Sequence, residues 1–165
     1  MSENNNQSVA EQTSDPEQGQ FGIQKIYVKD MSFETPNSPE VFQEQWSPTV
    51  NMDVANSASK MDDDLCEVVL SVTVTVTSED KPIYLVEVQQ AGIFHIAGFS
   101  DEIMGRMLAT TCPNILFPFA REVIADVVAR GGFPQLLLAP VNFEALFVQK
   151  MQQQAAQQGK DATTH

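Results

Sequence analysis

A chain of 165 residues with 22 acids against nine lysines and arginines, net charge −13, suits neither the phosphate neutralisation that nucleic acids demand nor an anionic membrane surface. The charge is concentrated: residues 30–102 hold 14 acids and only Lys60 and Lys81, and the remainder is close to neutral. Length fits one domain, and the acidic stretch fits either a basic protein partner or plain solubility.

In chain order, residues 1–20 contain four acids, no Lys or Arg and no aromatic, which predicts a disordered N-terminal extension. They lack the charged and apolar regions of a signal peptide, and no apolar run reaches transmembrane length, so a cytoplasmic protein is expected. The folded domain is expected over 21–151. Residues 152–165, mostly Gln, Ala and polar side chains, are expected as a flexible tail.

Residues 21–33, FGIQKIYVKDMSF, read as an extended segment whose alternation is broken by Lys25 and Lys29, which suits an edge strand or one facing two environments. Thr35-Pro36, Ser38-Pro39 and Ser47-Pro48 then favour extended backbone and exclude a stable helix or central strand. This crossover nevertheless carries Val41, Phe42 and Trp46. Two readings stay open: the loop caps the core, or it lines a recognition surface. Val50, Met52 and Val54 alternate with Asn51 and Asp53, predicting a strand. Asp62-Asp63-Asp64 lacks the alternating oxygen ligands, glycine and closing glutamate of a calcium loop, and reads as a solvated charge run.

The clearest signal is residues 65–77. Cys66, Val68, Leu70, Val72, Val74 and Val76 alternate with mostly polar neighbours, the period of a long antiparallel strand with one buried face. A polar turn, Ser78-Glu79-Asp80-Lys81-Pro82, leads into a second apolar run over 83–96, and the two read as a hairpin. After Gly98 the period becomes helical. Ser100 is a fair N-cap, with Asp101 and Glu102 in the first turn. Ile103, Met104, Met107 and Leu108 follow, then an interruption at residues 111–114. A second helix through Ala120, Val123, Ile124, Val127 and Val128 is expected to begin close to Pro118, since proline is tolerated in a first turn, and to stop at Gly131-Gly132. Its apolar positions exceed one stripe, as in a helix pressed between a sheet and another subunit. Residues 133–140, FPQLLLAP, form an apolar connector in which at least one of Leu136, Leu137 and Leu138 must face outward. Asn142 then caps a last amphipathic helix, with Phe143, Leu146, Phe147 and Met151 as its stripe.

Catalytic or cofactor chemistry is not apparent. His95 lies inside an apolar strand and the other histidine is His165, while nucleotide-binding loops, nucleophile elbows and metal-ligand spacings are missing from the sequence. Cys66 and Cys112 sit among apolar neighbours and read as buried thiols, and Glu87 reads as an exposed acid on the outer face of the sheet. What the chain offers is apolar side chains in excess of one small core, kept soluble by carboxylates. Such surface suits grooves for extended peptide. Burying one large side chain gains roughly 1.5–3 kcal/mol, whereas ordering a residue of an unfolded segment costs about 1–2 kcal/mol, so many pockets must act together in an oligomer. A small-ligand-binding or enzymatic α+β domain with one enclosed pocket, or a purely structural oligomer, are the rival readings.

The runs YVKDMSFETPNSPEVF (27–42), VEVQQAGIF (86–94), TCPNILFPFARE (111–122) and FPQLLLAPVNFEALF (133–147) closely resemble SecB, the bacterial protein-export chaperone family, and the likeness spans residues 21–154. The resemblance implies an α+β subunit with a four-stranded antiparallel sheet, a long broken helix and a C-terminal amphipathic helix, assembled as a dimer of dimers. It implies an ATP-independent chaperone that holds unfolded preproteins and delivers them to the motor SecA. By resemblance, the SecA-binding surface maps onto Asp30, Glu34, Leu85 and Glu87. The client groove maps onto Phe42, Trp46, Val50, Met52, Val54, Leu136 and Leu138. The zinc of that contact belongs to SecA, so neither a metal nor another cofactor is expected here. Met52 and Val54 stand where relatives often carry leucine, and the extension to Gln20 has no family role to inherit.

Overall fold

The computed structural model describes residues 18–161. Four antiparallel strands form one sheet, β1 (Gln20–Glu34), β2 (Thr49–Asp62), β3 (Leu65–Ser78) and β4 (Lys81–Ala97), in the spatial order β1-β4-β3-β2. Helices α1 (Asp101–Ala109), α2 (Thr111–Arg130) and α3 (Phe143–Asp161) follow. The fold is α+β with a broken long helix.

Strand β3 behaves as its alternation dictates. Val68, Leu70, Val72, Val74 and Val76 are sealed, and every odd position between them is half-buried on the opposite face. Their partners on β4, Gly92, Gln90, Val88, Val86 and Tyr84, share the sealed face. α2 lies across it with Cys112, Leu116, Phe117, Ala120, Ile124 and Val128, an i, i+4 stripe. The helix comes close because Gly92 has no side chain: a Cβ there would lie 3.0 Å from Leu116 Cδ2 and 2.8 Å from Phe94 Cε2. Both cysteines are buried and free, and burial, then the neighbouring Cys66, pushes the Cys112 thiol up to about 12.

Strand β1 explains its own broken pattern. Register shifts fall between Ile23 and Lys25 and between Val28 and Asp30, and each extra residue moves the chain by one face. Phe21, Ile23, Ile26, Val28, Met31 and Phe33, spaced 2, 3, 2, 3 and 2, therefore all point to the α2 side. β1 is an edge strand, as expected, and so is β2.

The helix break sits at Thr110, where φ is −126° and ψ −61°. Pro113 has no N–H for the Ala109 carbonyl, so the ladder from α1 cannot continue there, and the Thr110 hydroxyl instead donates to the Arg106 carbonyl at 2.8 Å. The second helix therefore starts at Thr111, well before the expected position. Pro118 is then interior to it rather than in its first turn. The helix tolerates this because Pro118 and Asn114, whose carbonyl loses its donor, are both exposed to water. α2 ends as the glycine pair predicts. Gly132 takes φ +88°, Gly132 N–H donates to Ala129 and Phe133 N–H to Val128, closing a Schellman motif.

Ser100 caps α1 through Ile103 N–H at 3.4 Å, and Asn142 caps α3 through Ala145 N–H at 3.0 Å. α3 continues to Asp161, through ten of the residues expected as a tail. Gln and Ala are good helix formers, so the ladder persists after the apolar stripe has ended. Residues 1–17 and 162–165, most of the expected extension and the tip of the expected tail, lie outside the described residues.

Candidate functional site

The two faces of the sheet differ in chemistry. On the outer face, away from α2, Glu34 stands opposite Leu85, Ser32 opposite Glu87, and Asp30 opposite Gln89. Leu85 and Glu87 in turn face Thr75 and Thr73 of β3, and Asp53 of β2 faces Thr73 from the far side. The geometry thus brings Asp30, Glu34, Leu85 and Glu87 together at one end of one face, joined by Asp53, which sequence reading had placed only on a strand. The Thr73 hydroxyl lies 3.4 Å from Glu87 Oε2. Around one half-buried leucine, this end offers acceptors to a cationic partner.

Farther along the same face, Lys29 reaches Glu67 of β3 with Nζ 2.8 and 2.9 Å from its two carboxylate oxygens. The Tyr27 hydroxyl donates to the same carboxylate. The Lys29 ammonium, then the Tyr27 hydroxyl, hold Glu67 below the usual carboxylate range, and the bond to Glu67 pushes Tyr27 up to about 12. Contacts spanning 38 and 40 residues leave no local signal, so these three were not singled out from sequence.

On the α2 side, the proline-stiffened crossover is tied to the β3–β4 hairpin. Asn37 Nδ2 donates to the Pro82 carbonyl at 2.8 Å, the Thr35 hydroxyl to the Ile83 carbonyl at 3.2 Å, and Ser47 N–H to the Ser78 hydroxyl at 3.0 Å. It both caps and displays: Val41 is fully buried, whereas Phe42 remains 51% exposed. Phe133 is the hub beneath it, with ring centroids 4.8 Å from Tyr84, 5.1 Å from Phe42, and 6.3 Å from both Trp46 and Phe33. Sequence reading saw Phe133 only as connector. Its tell was its place after Gly132, where a Schellman end brings the following apolar residue back onto the core.

Beside this cluster, Val50, Met52 and Val54 project from β2 on the α2 side, opposite Val76, Val74 and Val72. Val50 is 45% exposed, and Met52 and Val54 are half-buried. A hollow continues from Val54, Ala55 and Asn56 to Leu146 and Phe147 of α3. Of the connector leucines, Leu137 faces outward at 73% exposure, Leu136 is half-buried, and Leu138 is sealed at 7%. Leu138 is therefore floor rather than wall. The predicted groove residues share one side of the subunit, with Trp46 open on one flank and packed on Phe133 on the other.

Among the described residues, no cluster of three or more His, Cys, Asp or Glu is placed to hold a metal ion, and no helix is long and apolar enough to cross a membrane. His95 lies half-buried on the outer face opposite Leu65.

The family model described as preprotein translocase subunit SecB matches residues 13–154. The chain is 53% identical over 157 residues to the protein-export protein SecB of Methylococcus capsulatus, covering 95% of this chain and all of that one. It is 55% identical over 149 residues to the protein-export protein SecB of Nitrosococcus oceani, covering 88% and 91%. Among solved structures, the SecB-like chaperone Rv1957 of Mycobacterium tuberculosis, in complex with a ChAD peptide from the HigA1 antitoxin, superposes with a TM-score of 0.59. It is 18% identical over 74% of this chain and 91% of that one, a likeness of fold.

The Glu67 carboxylate gives a pH prediction. A group whose folded pKa is depressed adds stability above its unfolded pKa and loses it as the pH falls through the folded value. Lys29 is 45% exposed, so the contribution is screened to about 0.2–1 kcal/mol. Urea unfolding should show Glu67→Gln less stable than the parent by that amount at neutral pH, with the gap closing below about pH 4.

Proposed function

Because the chain belongs to the SecB family, we propose that it is a protein-export chaperone of the cytoplasm, holding unfolded preproteins without nucleotide and delivering them to SecA. The observation that carries this reading is an open apolar surface where a core should have closed. Val50, Met52 and Val54 line an edge strand whose outer main-chain groups have no neighbouring strand, next to a half-exposed Phe42 and a half-buried Trp46. An extended client can bury alternate side chains there and pair its backbone with β2. Phe42, Trp46, Val50, Met52, Val54 and Leu136 are the contacting residues, and Leu138 supports them from below.

The acidic end of the outer face, Asp30, Glu34, Leu85 and Glu87, is the proposed SecA contact. It is separated from the client side by the thickness of the sheet, so a client and the motor can be held together. The working unit is a dimer of dimers, with residues 21–151 as the chaperone domain. Exposed Ile103 on α1, Phe119 on α2, and Ile23, Val28 and Met31 at the β1 edge supply the apolar area that such an assembly covers. No observation favours an enclosed ligand pocket or a catalytic centre over this reading.

Three outcomes follow. Replacing Val50, Met52 and Val54 by Ala should weaken binding of an unfolded client at least tenfold by titration and shorten the delay of its aggregation in the absence of nucleotide. An unchanged delay would place the groove elsewhere. Glu87→Lys should weaken SecA binding by calorimetry with the melting temperature unchanged; equal affinity would remove the acidic face from the contact. Light scattering should give a particle of about four chains, and a monomer would contradict the assembly.

A further inference from the structure

In an antiparallel pair, one extra residue changes the face of everything beyond it. β1 carries such a residue at Lys29, between the pairs Val28–Gln90 and Asp30–Gln89. Plain alternation from core-facing Val28 would send Asp30, Ser32 and Glu34 under the sheet and Phe33 out to solvent. With the bulge, all three polar side chains lie outside and Phe33 reaches Tyr84 and Phe133. Asp30 and Glu34 join Glu87 on the outer face because of this bulge.

Within the subunit β1 is paired on one side only, so side-chain contacts add to what holds its bulge. Tyr27 and Lys29 flank Val28, and both reach across β4 to one carboxylate, Glu67 on β3. That carboxylate side chain is only 16% exposed; both members of every other ion pair among the described residues are at least 40% exposed. The grip also moves charge. Lys29 adjoins Asp30 in sequence, and its ammonium is drawn onto β3 instead of lying over the acids of the docking end.

We propose that Glu67 is a positioning residue for the acidic docking face: by gripping Tyr27 and Lys29 it holds the bulge in register and keeps a cation away from Asp30, Glu34 and Glu87. The docking part of this proposal rests on the reading of that face as the SecA contact. The bulge part stands on the geometry alone.

The test uses the full chain with Glu67→Gln, Glu67→Ala and the charge swap Lys29→Glu with Glu67→Lys, alongside Glu87→Lys as the probe of the docking reading. Amide hydrogen exchange and calorimetry with SecA are the readouts. Both single variants should speed exchange at residues 29–34 at least tenfold relative to β3 amides, which report any general loss of stability. Each should weaken SecA binding roughly five- to tenfold, and the swap should recover most of the affinity. Exchange at residues 29–34 that rises only in step with β3 overturns the clamp. Normal affinity in the single variants, or failure of the swap to restore it while Glu87→Lys still weakens binding, overturns the docking role. If Glu87→Lys leaves affinity unchanged, the docking reading itself has failed, and exchange at residues 29–34 decides the clamp.

Discussion

Helix α2 can lie flat on the sheet only because β3 and β4 present an unbroken apolar face to it, and that contact assigns the rest of the chain. Val68, Leu70, Val72, Val74 and Val76 are spent on the helix, with Gly92 letting Leu116 reach the sheet. The period of two then leaves the intervening threonines, Ser71, Glu67 and Glu87 on the other side, where acids and hydroxyls are at no disadvantage. The proposed docking face on one side and the proposed client face on the other edge are consequences of one buried row. Because the sheet is only four strands wide, a 20-residue helix covers its centre and leaves β2 and the crossover partly bare.

That bareness raises the problem of any protein that displays apolar side chains: its own copies compete for the surface. Two devices answer it here. Two of the most exposed apolar groups stand off the sheet edges, Phe42 in the proline-stiffened crossover and Leu137 in the connector, so neither lies on a strand that could pair with another sheet edge. Carboxylates supply the other device, since a net charge of −13 opposes random association at long range. The same charge favours a basic partner, so solubility and the proposed recognition would use one feature rather than two.

How far the sequence could be read depended on the range of the physics. Alternation in β3, the cap at Ser100, the cap at Asn142 and the Gly131-Gly132 stop are local, and each was legible. β1 was legible only as broken, because a bulge is recognised by its partner register and not by propensity; the 2, 3, 2, 3, 2 spacing of its apolar residues makes sense only once β4 is beside it. The start of α2 was misplaced because Pro118 reads as a first-turn residue until one sees that Asn114, whose carbonyl it leaves without a donor, is exposed to water. Tyr27, Lys29 and Glu67 were invisible as a unit, separated by 38 to 40 residues and joined only by the strand between them. Family resemblance supplied Asp30, Glu34, Leu85 and Glu87; their coming together at one end of the outer face is a product of register.

The composition of the proposed client face also bears on how it would select. Val50, Met52 and Val54 offer a valine, a flexible thioether and another valine in a row, and the polar side chains on that side of the strand, Asn56 and Lys60, come only farther along it, with Asn56 engaged to the Leu108 carbonyl. Discrimination by side-chain chemistry is therefore weak, and what remains is discrimination by conformation. A folded protein keeps its backbone paired and its apolar groups inside, so it can offer neither strand nor side chains to β2. An unfolded one offers both. Each contact gains roughly 1.5–3 kcal/mol and is opposed by about 1–2 kcal/mol of ordering per residue, leaving a narrow margin at any one pocket. A margin that small holds a client only when several pockets are engaged, and it releases the client in steps once some of them are vacated.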